Sequence, residues 1–299
     1  MTEPVADSSP GEHEGRIKRA RRRVDSARQE ISERANDIEA RVPAARSAVR
    51  AYEHDRAVGG EIMAGAIAFR SFVYMVPLVL VLVIVLGIAA DSTEGGAATI
   101  SKDAGITGLA AQSVTQSAHL SGGGRLIALF LGLFALYSTS IALARALRIA
   151  HALAWGKVVA PMKRTWRAAL VVTGSTLAAV GLMAIVTKVD VSSHAAALII
   201  AVTAVLAYIA GWLGISMLLP HSDAPWTALV PGSILVGVGV LVLHVVTVFY
   251  ISRRISHSSA LYGTLGGAIA ILAWAYLLGR LIVSSAVLNA SLYREREGQ

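Results

Sequence analysis

The run from Tyr262 to Asn289, YGTLGGAIAILAWAYLLGRLIVSSAVLN, constrains this chain more than any other stretch. It holds 28 residues and one charge, Arg280. As a helix it rises ~42 Å at 1.5 Å per residue, enough to cross a ~30 Å hydrocarbon core with some tilt. Gly263 and Gly267 stand four apart on one face, where small residues let another helix come close. In lipid such packing, rather than expulsion of water, holds helices together. The pair serves packing inside the chain or across a homo-oligomer seam. Five hydrophobic spans precede this one, at about 62–90, 126–149, 168–187, 195–219 and 231–251, and the last covers 262–289. None has the alternating pattern of an outer-membrane barrel strand. The expected fold is all-α, a polytopic membrane protein with six transmembrane helices over 61–290. Outside them stand a disordered tail (1–15), cytoplasmic or interfacial amphipathic helices (16–60) and a cytoplasmic tail (291–299).

Composition agrees. Of 299 residues, 15% are charged, where soluble domains carry about 25%. There is no cysteine, which excludes disulfides, thiolate metal sites and thiol catalysis. The net charge of +8 is uneven: residues 1–56 hold 12 Lys/Arg against 11 Asp/Glu, and the rest hold 15 against 8. That excess lies in or beside hydrophobic segments, so it suits membrane lipids with anionic head groups and not nucleic acid. No apolar run precedes residue 62, so no signal peptide is expected.

In the arm, Ile17, Val24, Ile31 and Ile38 recur every seven residues beside the basic RIKRARRR at 16–23. The pattern fits a solvated or membrane-surface helix first, then a self-associating or tail-docking one, with nucleic-acid contact the least favoured. Pro43 ends it. A second amphipathic stretch, 44–58, leads through Gly59-Gly60 to the membrane and is expected at the interface. Pro77 should kink the first span. The SGGGR at 121–125 reads as a hinge or helix breaker. Trp155, Trp166, Trp212 and Trp226 fall near span ends and read as interfacial belt anchors.

Lysine and arginine in the loops orient the spans. With the N-terminus inside, the 150–167 connection brings Lys157, Lys163, Arg164 and Arg167 to the cytoplasm. The outer pair Arg253-Arg254 runs against the rule. Both termini are then cytoplasmic.

Four arginines inside or at the ends of spans carry the chemistry: Arg70, Arg145, Arg148 and Arg280. A charge at depth is costly, so it faces a cavity or the bundle interior, or snorkels to the head groups. Counted from the expected span ends, Arg70 and Arg280 lie ~12 and ~14 Å from one side. No Asp or Glu falls inside a span to neutralise them. They read as a substrate or anionic-lipid site, since a guanidinium holds phosphate with two hydrogen bonds. His244 is a candidate polar relay or a packing residue. Tyr137, Ser138, Thr139 and Ser140 form a polar patch, bonding neighbouring helices or their own backbone. Nothing marks an enzyme, a metal site or a cofactor. The eight histidines are scattered with no i, i+4 pair, and no phosphate loop or nucleophile elbow occurs.

Three stretches together resemble the YihY/BrkB family of inner-membrane proteins. They are AIAFRSFVYMVPLVLVL in the first span, LLPHSDAPWTALVPGSILVG at 218–237, and the ending with Tyr262, Gly263, Leu265, Gly266, Trp274, Tyr276 and Asn289. The ending departs from the family pattern at Ser284-Ser285-Ala286-Val287, where a glutamate is common. The resemblance implies six helices in the cytoplasmic membrane and, in some members, export of lipid or envelope components. It also implies an old label, ribonuclease BN, that these residues do not support. The expected function is a transporter or flippase-like passage for an anionic amphiphile or lipid. The alternative is a non-catalytic scaffold of the cell envelope.

Overall fold

The computed structural model describes residues 43–91, 122–159, 161–162, 164–188, 194–246 and 252–298. Two units divide the chain, Met1–Tyr52 and Glu53–Gln299. Of the first, residues 43–52 are described, and they are helical. The heptad arm, the 1–15 tail and most of the 91–124 connection lie outside the described residues.

The described residues form seven α-helices and one 3-10 turn, without a strand. In chain order they are α1 (Pro43–Ala57), α2 (Gly60–Asp91), α3 (Gly122–Ala154), α4 (Thr165–Lys188), α5 (His194–Leu218), the 3-10 turn (Trp226–Leu229), α6 (Val230–Val246) and α7 (Ser252–Glu297). Helices α2 to α5 and α7, and α6 taken together with the 3-10 turn before it, each contain a stretch long and apolar enough to cross a membrane. The all-α, six-span reading therefore holds. These helices are apolar on nearly every face. Phe69, Phe130, Phe134, Leu170 and Leu198 are exposed, which in water would be unfavourable and in lipid is the solvated state.

Helix α7 is central and packs on α2, α3 and α6. Helix α2 also pairs with α3, and α6 with α5. Helix α4 packs mainly on α3 and α5, and few of its side chains are buried. Small residues set the tightest approaches. A Cβ at Gly279 would lie 2.6 Å from the Ala64 carbonyl oxygen, so α7 and α2 touch backbone to backbone there. Gly263 and Gly267 lie in α7, but their side-chain surroundings fall outside the described residues.

Several local readings change. Gly122 to Gly124 form the first turn of α3 and not a break; glycine's entropic cost there is about 0.5–1 kcal/mol per residue, which a 33-residue helix absorbs. Pro77 does lie inside α2 as expected, buried, where its missing N–H is tolerated among packed helices. The expected C-terminal tail is helical through Glu297. Trp155 and Trp212 are buried and belong to the core, not to a belt; Trp166 and Trp226 are exposed. Both buried indoles have partners inside: Trp155 packs on Tyr293 with ring centroids 5.7 Å apart, and Trp212 donates to Ser285.

Candidate functional site

One end of the bundle gathers the start of α2 and the ends of α3, α5 and α7. Its order begins with glycine. Gly59, at φ +71, turns the chain out of α1, a conformation that costs side-chain-bearing residues. Its carbonyl accepts from the Met63 N–H and so opens α2. Gly60 is buried with the Asp55 carboxylate where a Cβ would stand, so a side chain there would displace that carboxylate. Asp55, 7% exposed, receives two hydrogen bonds from Arg280 at 3.0 and 3.4 Å. The carboxylate that neutralises Arg280 thus comes from outside the spans.

The C-terminus of α3 closes in a Schellman turn around Gly156, at φ +64. The Lys157 N–H reaches the Ala152 carbonyl at 2.7 Å, and the Gly156 N–H reaches Leu153 at 3.1 Å. The Ala154 carbonyl accepts from Arg294 Nη2 at 3.0 Å, with His54 Nε2 2.8 Å away. Arg294 Nη1 also stands 3.3 Å from that nitrogen. Two N–H groups cannot bond each other, so Nε2 either donates to Ala154 or accepts from Arg294. A cation at a helix C-terminus also meets the negative end of the helix dipole.

Asn289 joins α7 to α6. Its Oδ1 accepts from the Gly232 N–H at 2.7 Å, and its Nδ2 donates to the Leu229 carbonyl at 3.2 Å. Pro231 supplies no donor and Gly232 leaves room, since a Cβ there would meet Ser285 O and the Asn289 amide. One turn earlier on α7, Ser285 accepts from Trp212 Nε1 at 3.1 Å and donates to the Ile282 carbonyl at 2.8 Å. His151 sits against Trp212 with ring centroids 6.1 Å apart.

Beside this packed end, α3, α4 and α5 enclose a groove of about 250 Å³. Among the described residues, Arg148, Arg164 and Arg167 line it together with apolar side chains, with Leu147, Val171 and Leu218 representing the three helices. Tyr137 reaches Thr165 with its hydroxyl, 3.2 Å from the threonine Oγ1. That contact holds the start of α4 against the flank of α3, so Arg164 and Arg167 stand beside apolar side chains. Arg167 also lies over the Trp166 ring at 5.3 Å.

The four arginines singled out from the sequence are not gathered in this groove. Arg148 lines it. Arg280 is engaged with Asp55. Arg70 and Arg145 are exposed on α2 and α3. The Gly279–Ala64 approach sets Arg280 beside residue 64 of α2, so Arg70 lies about 9 Å farther along that helix. Arg164 and Arg167 entered the sequence reading only as topology signals. His244 is half-buried in the last turn of α6. Thr139 and Ser140 bond carbonyls of their own helix, at 2.9 Å to Ala135 and 2.8 Å to Tyr137. Among the described residues, no three His, Asp or Glu side chains converge as metal ligands would.

A family model described as "Virulence factor BrkB" matches residues 51–299. The chain belongs to the BrkB family. The matched region takes in every contact above, from His54 and Asp55 to Arg294. The YihY/BrkB resemblance read from three short stretches is therefore correct. A relative from Bacillus subtilis (strain 168), named as ribonuclease-like protein YfkH, is 30% identical over 78 residues. That alignment spans 26% of this chain and 28% of the relative. No solved structure matches the chain. Two of the stretches that carry the resemblance meet here: the Asn289 amide bonds Gly232 and Leu229 at the start of α6.

Proposed function

We propose that this BrkB-family membrane protein binds an anionic amphiphile and moves it across the cytoplasmic membrane, as a transporter or flippase-like passage. One observation carries the reading: the groove in which three arginines stand against otherwise apolar walls. Arginine forks suit an anionic head group, and the walls suit its hydrocarbon. A surface that only marked orientation would need the charges but not the walls. In this reading the groove end is cytoplasmic, in keeping with Lys157, Arg164, Arg167, Arg294 and Arg296 clustered in its segments. Its cargo is a lipid or lipid-like anion, and neither an enzyme reaction nor nucleic acid is involved.

The test is reconstitution of the purified chain in vesicles carrying fluorescent anionic or zwitterionic lipid, with leaflet exchange read by quenching from outside. Protein-dependent exchange should favour the anionic lipid. Arg148→Gln with Arg167→Gln should slow it by about tenfold or more, as charge-assisted bonds contribute roughly 1.5–3 kcal/mol each. Exchange no faster than in empty vesicles would refute the proposal.

A further inference from the structure

We infer that the turn of α2 carrying Arg70 and Tyr74 is a second anionic-lipid site, which takes the phosphate of a phospholipid from the leaflet at the Asp55 end of the bundle. It goes beyond the groove, to which α2 contributes no lining residue among those described.

Tyr74 is the first observation. It is 2% exposed, and among the described residues its buried hydroxyl has no hydrogen-bond partner. An O–H withdrawn from water and left unbonded is unfavourable, above all in a bundle set in hydrocarbon. Phenylalanine would fill the same space without that cost. The hydroxyl therefore calls for a partner that the chain does not supply.

Arg70 is the second. It lies four residues before Tyr74, next to it on one face of α2. Its side chain is exposed, and among the described residues no carboxylate pairs with it. Helix α2 has no acidic residue between Glu61 and Asp91. A long helical side chain lies over the turn before its own Cα, so the Tyr74 ring covers the turn that bears Arg70 and Ser71. Guanidinium, phenol and serine hydroxyl are all donors. Three donors within one turn, one of them charged, suit an anion.

Depth makes that anion a lipid phosphate. Ala64 meets Gly279 beside the Arg280–Asp55 pair, and Arg70 stands ~9 Å farther into the span. An arginine stem covers much of that distance, so the guanidinium reaches head-group level along its own helix. The surface beside it, Ala66, Phe69 and Val73, is apolar and exposed or half-buried, which suits acyl chains. Because no ion pair holds Arg70, its side chain is free to fold back over the phenol and bring a bound phosphate to the hydroxyl.

The experiment is a thermal-shift titration of the full chain in neutral detergent with phosphatidylglycerol, phosphatidylcholine or inorganic phosphate. It is repeated with Arg148→Gln and Arg167→Gln in place, so that the groove does not contribute. Phosphatidylglycerol should raise the melting temperature more than phosphatidylcholine in both backgrounds. Arg70→Gln and Tyr74→Phe should each shift that response to about tenfold higher lipid concentration. Without lipid, Tyr74→Phe should melt at or above the wild-type temperature, since it removes only the unbonded hydroxyl. Arg296→Gln, exposed at the end of α7, loses the same charge as Arg70→Gln and should leave the response unchanged. A full response from Tyr74→Phe would overturn the site and leave Arg70 as a snorkelling surface charge. A lower lipid-free melting temperature for Tyr74→Phe would show that the hydroxyl is bonded within the fold, and would overturn it too. Loss of the whole response in the Arg148→Gln, Arg167→Gln background would assign all binding to the groove, so that this site fails while the groove reading stands. An equal shift from inorganic phosphate would make it a soluble-anion site and overturn the lipid assignment.

Discussion

Arg280 and Asp55, 225 residues apart, form a two-point ion pair that ties the segment before the first span to the last span. Asp55 is nearly buried and Arg280 is partly exposed, with side-chain accessibilities of 10% and 30%. Removing one partner leaves the other charge poorly solvated, whereas removing both does not. Asp55→Asn and Arg280→Gln should each destabilise by about 2 kcal/mol, a fall of roughly 4–8 °C in melting temperature. The double variant should lose clearly less than the sum. Thermal melts of the detergent-solubilised chain decide this, and strict additivity would show that the pair is not coupled.

Asn289 both accepts from Gly232 and donates to Leu229. A carboxylate can do only the first. Asn289→Asp should therefore cost at least as much as Asn289→Ala, because it sets a charge against the Leu229 carbonyl in a buried site. Each should reduce stability by about 2 kcal/mol or more. An Asp variant as stable as wild type in the same melts would refute the two-sided contact.

At Gly279 the constraint is steric. Any side chain would meet the backbone of Ala64, which cannot rotate away. Gly279→Val should destabilise by about 1–3 kcal/mol and lower folded yield, while Gly65→Ala, with open space around it, should have little effect. Size-exclusion profiles of the two variants make the comparison, and a wild-type profile for Gly279→Val would contradict the close approach.

Orientation can be measured on a clean background, since the chain has no cysteine. Val158→Cys lies in the exposed turn after α3, 95% accessible. In intact cells it should react only with membrane-permeant thiol reagents. A cysteine at Ser113, in the connection before α3, should react with impermeant ones. Labelling of position 158 by an impermeant reagent would invert the proposed topology.

The sequence by itself determined the class and the number of spans. Lipid leaves few solutions, because each buried N–H and C=O must be bonded within the segment, so six long apolar runs mean six helices. It also determined the family, through stretches that include Pro231-Gly232 and Asn289. What it could not determine was partnership across distance. Asp55 sits in an amphipathic stretch before two glycines, and nothing local says that its carboxylate meets Arg280. The four-residue spacing of Gly263 and Gly267 points to close packing there, yet the backbone contact that the structure describes is at Gly279, whose neighbour Arg280 looked like the feature of interest. Arg164 and Arg167 were legible as loop charges; only the docking of α4 on the flank of α3, marked by Tyr137 and Thr165, turns them toward a groove with Arg148. Periodicity and composition are set within a helix, whereas ion pairs, caps and grooves depend on which helices meet and at what height, and that is decided by packing.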